Sequence, residues 1–322
     1  MSCIEIGLCE LQEDSLMSEV RYIKSPLNYT GGKAKLLKQL EPLFGSNITT
    51  FVDLFCGSGT VGVNIEADRY YYNDLSGEVI GLIKLFSEFS YGEIVSEIES
   101  LIKSYGLSDT YTYGYAHYHV ESSKGAGDYN KANYMRLRSD FNKLRVRDKH
   151  YYIMLFMLIC YSFNNQIRFN NRGEFNMPVG KRDFNANMRK NLSDFMSGIQ
   201  RQDRVISCGS FERFDVSVLD TKSLVYCDPP YLISTATYNE QNGWTLDNEK
   251  RLLDFLDKLN SLGFRFALSN ILRHKGKENE LLKNWASCRH YIIHDLNFNY
   301  NNSSYHGKNT GEETQEVLIT NY

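Results

Sequence analysis

The chain of 322 residues lacks any excess of positive charge: 36 Lys and Arg stand against 39 Asp and Glu, for a formal net charge of −3 and a pI near 6.2. That excludes binding to polyanions through overall charge and leaves phosphate contact to local clusters of Lys and Arg. The sequence has no Cys-x-x-Cys spacing. Its seven cysteines, at 3, 9, 56, 160, 208, 227 and 288, form no compact framework, so reduced thiols in a cytosolic protein are expected and structural zinc is not. Long hydrophobic runs are missing too. The most apolar stretch, 151–161, falls well short of the roughly 20 residues a membrane helix needs, and reads as a buried helix. Residues 1–19 are acidic and carry no basic region followed by an apolar one, which excludes a secretory signal; 1–22 are expected to form a disordered extension. No repeat of fixed period is visible.

What remains is a globular chain, 42% hydrophobic and 23% charged, able to bury a substantial core. Its start reads β-α-β-α: strand 51–55, helix 60–67, strand 69–73, helix 77–89. The rhythm returns after 205–206, with strand 224–227, helix 245–262, strand 264–269, helix 277–285, strand 289–293 and strand 316–320. Between them the pattern differs. Helices are expected at 131–149 and 151–163, and a β-hairpin around Asn171-Arg172-Gly173 within 167–177. Residues 111–130, rich in Tyr, His, Ser and Gly, show no periodicity and read as a mobile surface loop. The fold expected is α/β, a Rossmann-like seven-stranded sheet. Its catalytic domain comprises 23–83 and 205–322, and 84–204 form an inserted, mostly helical domain carrying the hairpin.

Asp228-Pro229-Pro230-Tyr231 follows the strand 224–227 and places a carboxylate and a stiff aromatic turn at its end. Two prolines fix φ and remove two donors, so their carbonyls stay free as acceptors, and Tyr231 offers a ring for stacking. Such a turn suits a planar amine. An ordinary Asp-Pro turn is the bland reading; the complete tetrad in a chain that also carries a glycine loop favours the sharper one. Gly57-Ser-Gly59-Thr-Val-Gly62 has dinucleotide-type spacing, with Asp74 ending the next strand. Asp53 just before it repels a pyrophosphate and attracts a cation. S-adenosylmethionine, with its ammonium, sulfonium and ribose, fits that pair: Asp53 toward the positive end, Asp74 toward the ribose. Upstream, Asn28-Tyr29-Thr30-Gly31-Gly32-Lys33 leads into an amphipathic helix, with Lys33 a candidate for a ligand carboxylate or simply a solvated helix entry. His117 and His119 are spaced like a metal pair but have no Cys or carboxylate company, so no metal is expected. Cys56 and Cys227 read as small buried thiols.

Tyr29-Thr-Gly-Gly-Lys33, Asp53-Leu-Phe-Cys-Gly-Ser-Gly59 with Asn73-Asp74, and Asp228-Pro-Pro-Tyr231 after a large insertion together resemble the DNA adenine-N6 methyltransferases of the Dam family, most nearly the phage Dam enzymes. The likeness runs from about residue 25 to the C-terminus. It includes Phe163-Asn-Asn-Gln-Ile-Arg168, Pro178-Val-Gly-Lys-Arg182, Leu268-Ser-Asn-Ile-Leu272 and His274-Lys-Gly-Lys-Glu-Asn-Glu280. Residues 1–20 and 111–130 have no counterpart in it, and Gln166 departs from the phage pattern. The resemblance implies that Tyr29, Lys33, Asp74 and Asp228 contact S-adenosylmethionine and that Phe55 and Leu75 hold its adenine; the glycine-loop reading adds Asp53, Gly57 and Gly59 to that site. It also implies that the insertion recognises double-stranded DNA, commonly GATC, through Arg168, Pro178 and Arg182. The neighbouring Asn170, Arg172 and Lys181 join that surface. The setting expected is the cytoplasm of a bacterium or phage-infected cell, with no membrane partner.

In that reading, Asp228 and the Pro229 carbonyl each accept one hydrogen of adenine N6, localising its lone pair, and Tyr231 stacks on the flipped base. Arg168 and Arg182 have the fork geometry for guanine O6 and N7, with phosphate contact or plain solubility as the alternative. Three other functions stay open: methylation of a planar amine in RNA or protein, a DNA-binding regulator without catalysis, and a nicotinamide dehydrogenase, which leaves the tetrad and Asp53 idle.

Overall fold

The computed structural model describes residues 21–28, 31–233, 243–297 and 314–322. Tyr29 and residues 1–20 of the expected extension lie outside them; Tyr22 lies inside and hydrogen-bonds Glu41.

A helix α1 (Leu37–Phe44) leads into strand β1 (Ile48–Asp53), followed by β2 (Ala67–Asp74). Helices α2 (Gly77–Glu88), α3 (Tyr91–Tyr105), α4 (Thr110–His117), α5 (Gly127–Phe141), α6 (Lys149–Tyr161) and α7 (Ala186–Gln200) come next. The chain then returns to the sheet through β3 (Arg204–Cys208) and β4 (Leu224–Cys227), α8 (Leu246–Ser261), β5 (Arg265–His274), β6 (Lys277–Glu278), α9 (Glu280–Cys288), β7 (Ile292–Leu296) and β8 (Gln315–Thr320).

The sheet order is β3-β2-β1-β4-β5-β8-β7, with β6 hairpinned on β5. β3 through β5 pair in parallel and β8 is antiparallel to both of its neighbours. Alternating side chains send Phe51 and Tyr226 into one core and Val52, Val225 and Cys227 into another, as parallel strands covered on both faces require. α8 and α9 cover the second face. The first is covered by α1, α2, α6 and α7, and α6 is apolar all round and buried along nearly its whole length. Strand order reverses between β1 and β4, and the carboxyl ends of those strands open the crevice where such sheets bind ligands.

Several expectations change. Residues 60–67 form no α-helix. After Thr60 the chain makes a single 3₁₀ turn, Gly62–Asn64, and extends at Ile65. The β-branched Thr60, Val61, Val63 and Ile65 resist helix, and Asn64 turns its side chain to both backbone groups of Ile23. Lys277 and Glu278 belong to the hairpin with β5, and the helix starts only at Glu280, capped by Asn279. The hairpin at 167–177 is reduced to one bridge, Phe169 to Phe175, closed around Asn170, whose side chain accepts from the backbone of Arg172 and Glu174. α2 runs through residue 84, and the buried side chains of the inserted helices fall in one cluster with those of the sheet.

The stretch 111–130 is ordered and helical in large part. Asp183, 1% exposed, accepts hydrogen bonds from Ser108 Oγ (2.8 Å), Thr110 N (2.8 Å) and Thr110 Oγ1 (2.7 Å), and so fixes the start of α4. Asn130 bonds both the backbone and the hydroxyl of Ser108, and Ala126 N donates to Lys181 O. Order here comes from polar partners distant in sequence, which apolar periodicity does not reveal.

Candidate active site

Three adjacent parallel strands end in carboxylates. β1 ends in Asp53, β2 in Asp74, and Asp228 directly follows β4; all three line one cavity of about 1120 Å³, counting its open mouth. Asp53 is 1% exposed and among the described residues takes a single hydrogen bond, from Gly62 N at 3.1 Å, and burial pushes its carboxyl up to about 8. Gly62 packs so closely that a Cβ there would lie 2.4 Å from the Tyr72 ring, hence its glycine. Asp74 accepts from Gly57 N and Ser76 N, each at 2.9 Å, and burial raises it as well. The glycine loop therefore spends two of its N–H groups on the protein's own carboxylates. That is a poor cradle for a pyrophosphate and removes the support for a dinucleotide.

Aromatic and apolar side chains wall the same cavity. Phe55 stands 5.5 Å from Phe211 and 5.9 Å, edge on, from Trp244, and Leu75 lies open at the mouth, 61% exposed. Phe55, Gly57, Asp74 and Leu75 thus line one cavity, and Gly59 stands in the chain between two further lining residues, Ser58 and Thr60. Phe211 and Trp244 were missed because each sits in an irregular connection with no periodic signal. Trp244 is held by Glu249, a fully buried carboxylate that accepts its indole N–H at 2.5 Å and also binds Asn270 and Asn279. The donor set fits S-adenosylmethionine. Asp53, buried with one donor among the described residues, suits a cation, Asp74 has lone pairs left for ribose hydroxyls, and Phe55, Phe211 and Leu75 suit a purine face.

Asp228 is the centre of a second cluster. Lys33 Nζ lies 2.8 Å from its Oδ2 and 3.5 Å from Glu316 Oε1, and donates to the Tyr231 hydroxyl at 2.6 Å. The Tyr231 oxygen also lies 2.9 Å from Asp228 Oδ1 and 3.2 Å from Glu316 Oε1. Lys33, expected to meet a ligand carboxylate, here pairs with the protein's own. Burial raises Asp228, Lys33 opposes that, and Glu316 adds to it. Pro229 and Pro230 line the cavity but Tyr231 does not: its ring is 7% exposed and lies under Lys33, so stacking on a base requires the side chain to turn out of this cluster. Glu316 was missed, although a lone acid heading the apolar run of β8 is the kind of signal that marks such a residue.

A polar trough continues from the cavity past Gly31, Gly32, Ser58 and Thr60 to Asn165 and Gln166, then along Met188 and Asn191 to Tyr111, Tyr115 and Arg182. Asn164 and Asn165 both take a left-handed φ of 54°, which asparagine tolerates. The expected DNA-facing residues divide. Arg182 ends the trough, with the exposed Lys181 beside it. Arg168 stands on the hairpin and spends Nε and Nη2 on Asn176; Arg172 is exposed at its tip, Asn170 braces that tip, and Pro178 gives its carbonyl to Phe163 N.

Among the described residues no three His, Cys, Asp or Glu side chains converge on a metal site, and no helix is long and apolar enough to cross a membrane. Cys56 and Cys227 are buried, which pushes both thiols up.

A family model described as D12 class N6 adenine-specific DNA methyltransferase matches residues 29–301. The chain is 43% identical over 307 residues to the type II methyltransferase M.FokI of Planomicrobium okeanokoites, which covers 94% of this chain and 43% of that protein. It is 41% identical over 311 residues to the modification methylase StsI of Streptococcus sanguinis, covering 95% and 44%. The DNA adenine methylase of Escherichia coli K12 is 26% identical over 248 residues, covering 76% and 79%. The chain thus spans less than half the length of the first two relatives. The expected likeness to phage Dam enzymes in particular gives way to a stronger likeness to these type II and modification methylases.

Proposed function

The chain belongs to the D12 class N6 adenine-specific DNA methyltransferases, and from that premise we propose that it moves a methyl group from S-adenosylmethionine to N6 of an adenine flipped out of a short, specific duplex DNA site. The observation that carries the reading is the convergence of Asp53, Asp74 and Asp228 on one cavity, at the point where strand order reverses, with Pro229 and Pro230 in its wall.

When bound, the cofactor supplies a methyl group already activated on sulfonium. Asp53 would face its positive end, Asp74 would take ribose hydroxyls, and Phe55, Leu75 and Phe211 would enclose the purine. Adenine N6 is a poor nucleophile because its lone pair is shared with the ring. Asp228 and the Pro229 carbonyl draw its two hydrogens aside, and Lys33, 2.8 Å from Asp228, favours the carboxylate against the effect of burial. The nitrogen that gains the methyl carries one proton too many, and Asp228 is the carboxylate to accept it. Holding donor and acceptor in line contributes several kcal/mol of the acceleration. Unstacking the adenine costs about a few kcal/mol, which Tyr231 offsets once it leaves its cluster and stacks.

The DNA surface comprises Arg182 and Lys181 at the trough end together with Arg168, Asn170, Arg172 and Pro178 of the hairpin region, and Arg182 reads a guanine edge. The GATC site rests on the Dam likeness alone, at 26% identity to the Escherichia coli enzyme. Tritiated methyl transfer to duplex DNA, RNA and protein tests the function. Label in DNA as N6-methyladenine is expected; label in RNA or protein, or cofactor-independent DNA binding without product, overturns it. Sequencing that detects modified bases, on DNA from expressing cells, reads the site directly.

A further inference from the structure

We infer that Tyr115 is a positioning residue for Arg182 and makes α4 part of this chain's sequence-reading apparatus; the inference rests on the DNA-methylating function proposed above. Arg182 is exposed, and its Nη1 donates to the Tyr115 hydroxyl at 3.1 Å and to Ser122 O at 3.3 Å. Among the described residues its Nε and Nη2 make no hydrogen bond. The Nε–Nη2 edge of the guanidinium, one of the two edges whose paired donors can meet guanine O6 and N7 together, is therefore left open while Nη1 is tethered. Arg168 has the reverse arrangement, with the same edge closed on Asn176.

A free arginine on a surface samples many rotamers, and fixing it before DNA arrives reduces the ordering cost of binding. Tyr115 is suited to that task because it is itself held. Asp183, next to Arg182, anchors Thr110 at the start of α4 through two hydrogen bonds. The helix then breaks at Gly114 (φ 73°, ψ 167°), so the chain changes direction one residue before Tyr115. Tyr115 and Arg182 also line the same end of the trough that begins at the cofactor cavity. The tether and the tethered residue thus meet at one end of that trough.

The experiment compares the parent with Tyr115→Phe, Tyr115→Leu, Arg182→Ala and Tyr115→Phe combined with Arg182→Ala, by modified-base sequencing and by rates on cognate duplexes and duplexes altered at one base pair. Tyr115→Phe removes only the hydroxyl. The expected result is that preference at one base pair falls by about tenfold in both Tyr115 variants, within the range of a bidentate contact. Tyr115→Phe should also add nothing once Arg182 is alanine. An unchanged site preference, a loss equal at every sequence, or a further loss in the double variant overturns the inference. A parent that leaves DNA unmethylated defeats the proposed function instead, so the two failures are told apart.

Discussion

Two buried aspartates, Asp53 at the end of β1 and Asp183 under α4, are each 1% exposed, and the chain treats them in opposite ways. Asp53 is given one hydrogen bond and burial lifts its carboxyl to about 8; Asp183 is given three, from a hydroxyl, a backbone N–H and a second hydroxyl. A buried acceptor with all its partners inside the protein fixes architecture. One left short of partners stores unfavourable free energy that an arriving cation relieves. The helical layer thus uses its acid to hold shape, whereas in the proposed function the sheet end uses its acids to receive the cofactor.

The largest expected effect lies at the sheet end. Asp228→Ala should lower methylation by roughly a thousandfold, the scale of losing a group that handles the reacting proton, while DNA binding in a gel shift persists. A near-normal rate would remove Asp228 from the chemistry. Asp183→Ala should do the converse. Three donors lose their acceptor, at a cost of about 3 kcal/mol in chemical denaturation, with cofactor affinity at the far end of the trough unchanged. Loss of cofactor binding without loss of stability would break the contrast between the two acids.

The same contrast explains what was legible in the sequence. Asp53, Asp74 and Asp228 each end or follow a hydrophobic run next to a glycine or proline motif, so strand ends and cavity could be read from local pattern alone. Strand 224–227 and helix 77–89 needed little revision for the same reason. Asp183, Ser108 and Thr110 carry no such signature, because their partners lie 73 and 75 residues away and none sits in a periodic face. That is why 111–130 read as a mobile loop. Tyr231 was placed by its motif but not by its contacts, which depend on Glu316 from the far end of the chain.

Asp53→Asn has a smaller effect whose sign sharpens the comparison. With a carboxyl near 4 when unfolded and about 8 when folded, the ligand-free protein binds an extra proton between those values, so its stability falls as pH rises from about 4 through about 8. The amide mimics the protonated acid and should lose this dependence. Melting curves should find the variant near the parent at pH 5 and more stable than it at pH 8, while calorimetry finds S-adenosylmethionine bound about tenfold more weakly. A variant less stable than the parent at pH 8 would mean that Asp53 is a structural acid like Asp183.

Glu316→Gln is the finest test, because it alters a charge without removing a contact. Asp228 must be ionised to accept amino hydrogens, so the acid limb of the rate profile follows its titration. Burial raises that titration, Lys33 lowers it, and the Glu316 charge raises it again. Neutralising Glu316 removes one raising influence and leaves the Lys33 ammonium, now shared between Asp228 at 2.8 Å and Glu316 at 3.5 Å, to act on Asp228 alone. Both changes favour the carboxylate. The acid limb of kcat should therefore move to lower pH, with the rate on the alkaline plateau nearly unchanged; a limb that moves to higher pH would show that Glu316 supports Asp228 by holding Lys33 in place.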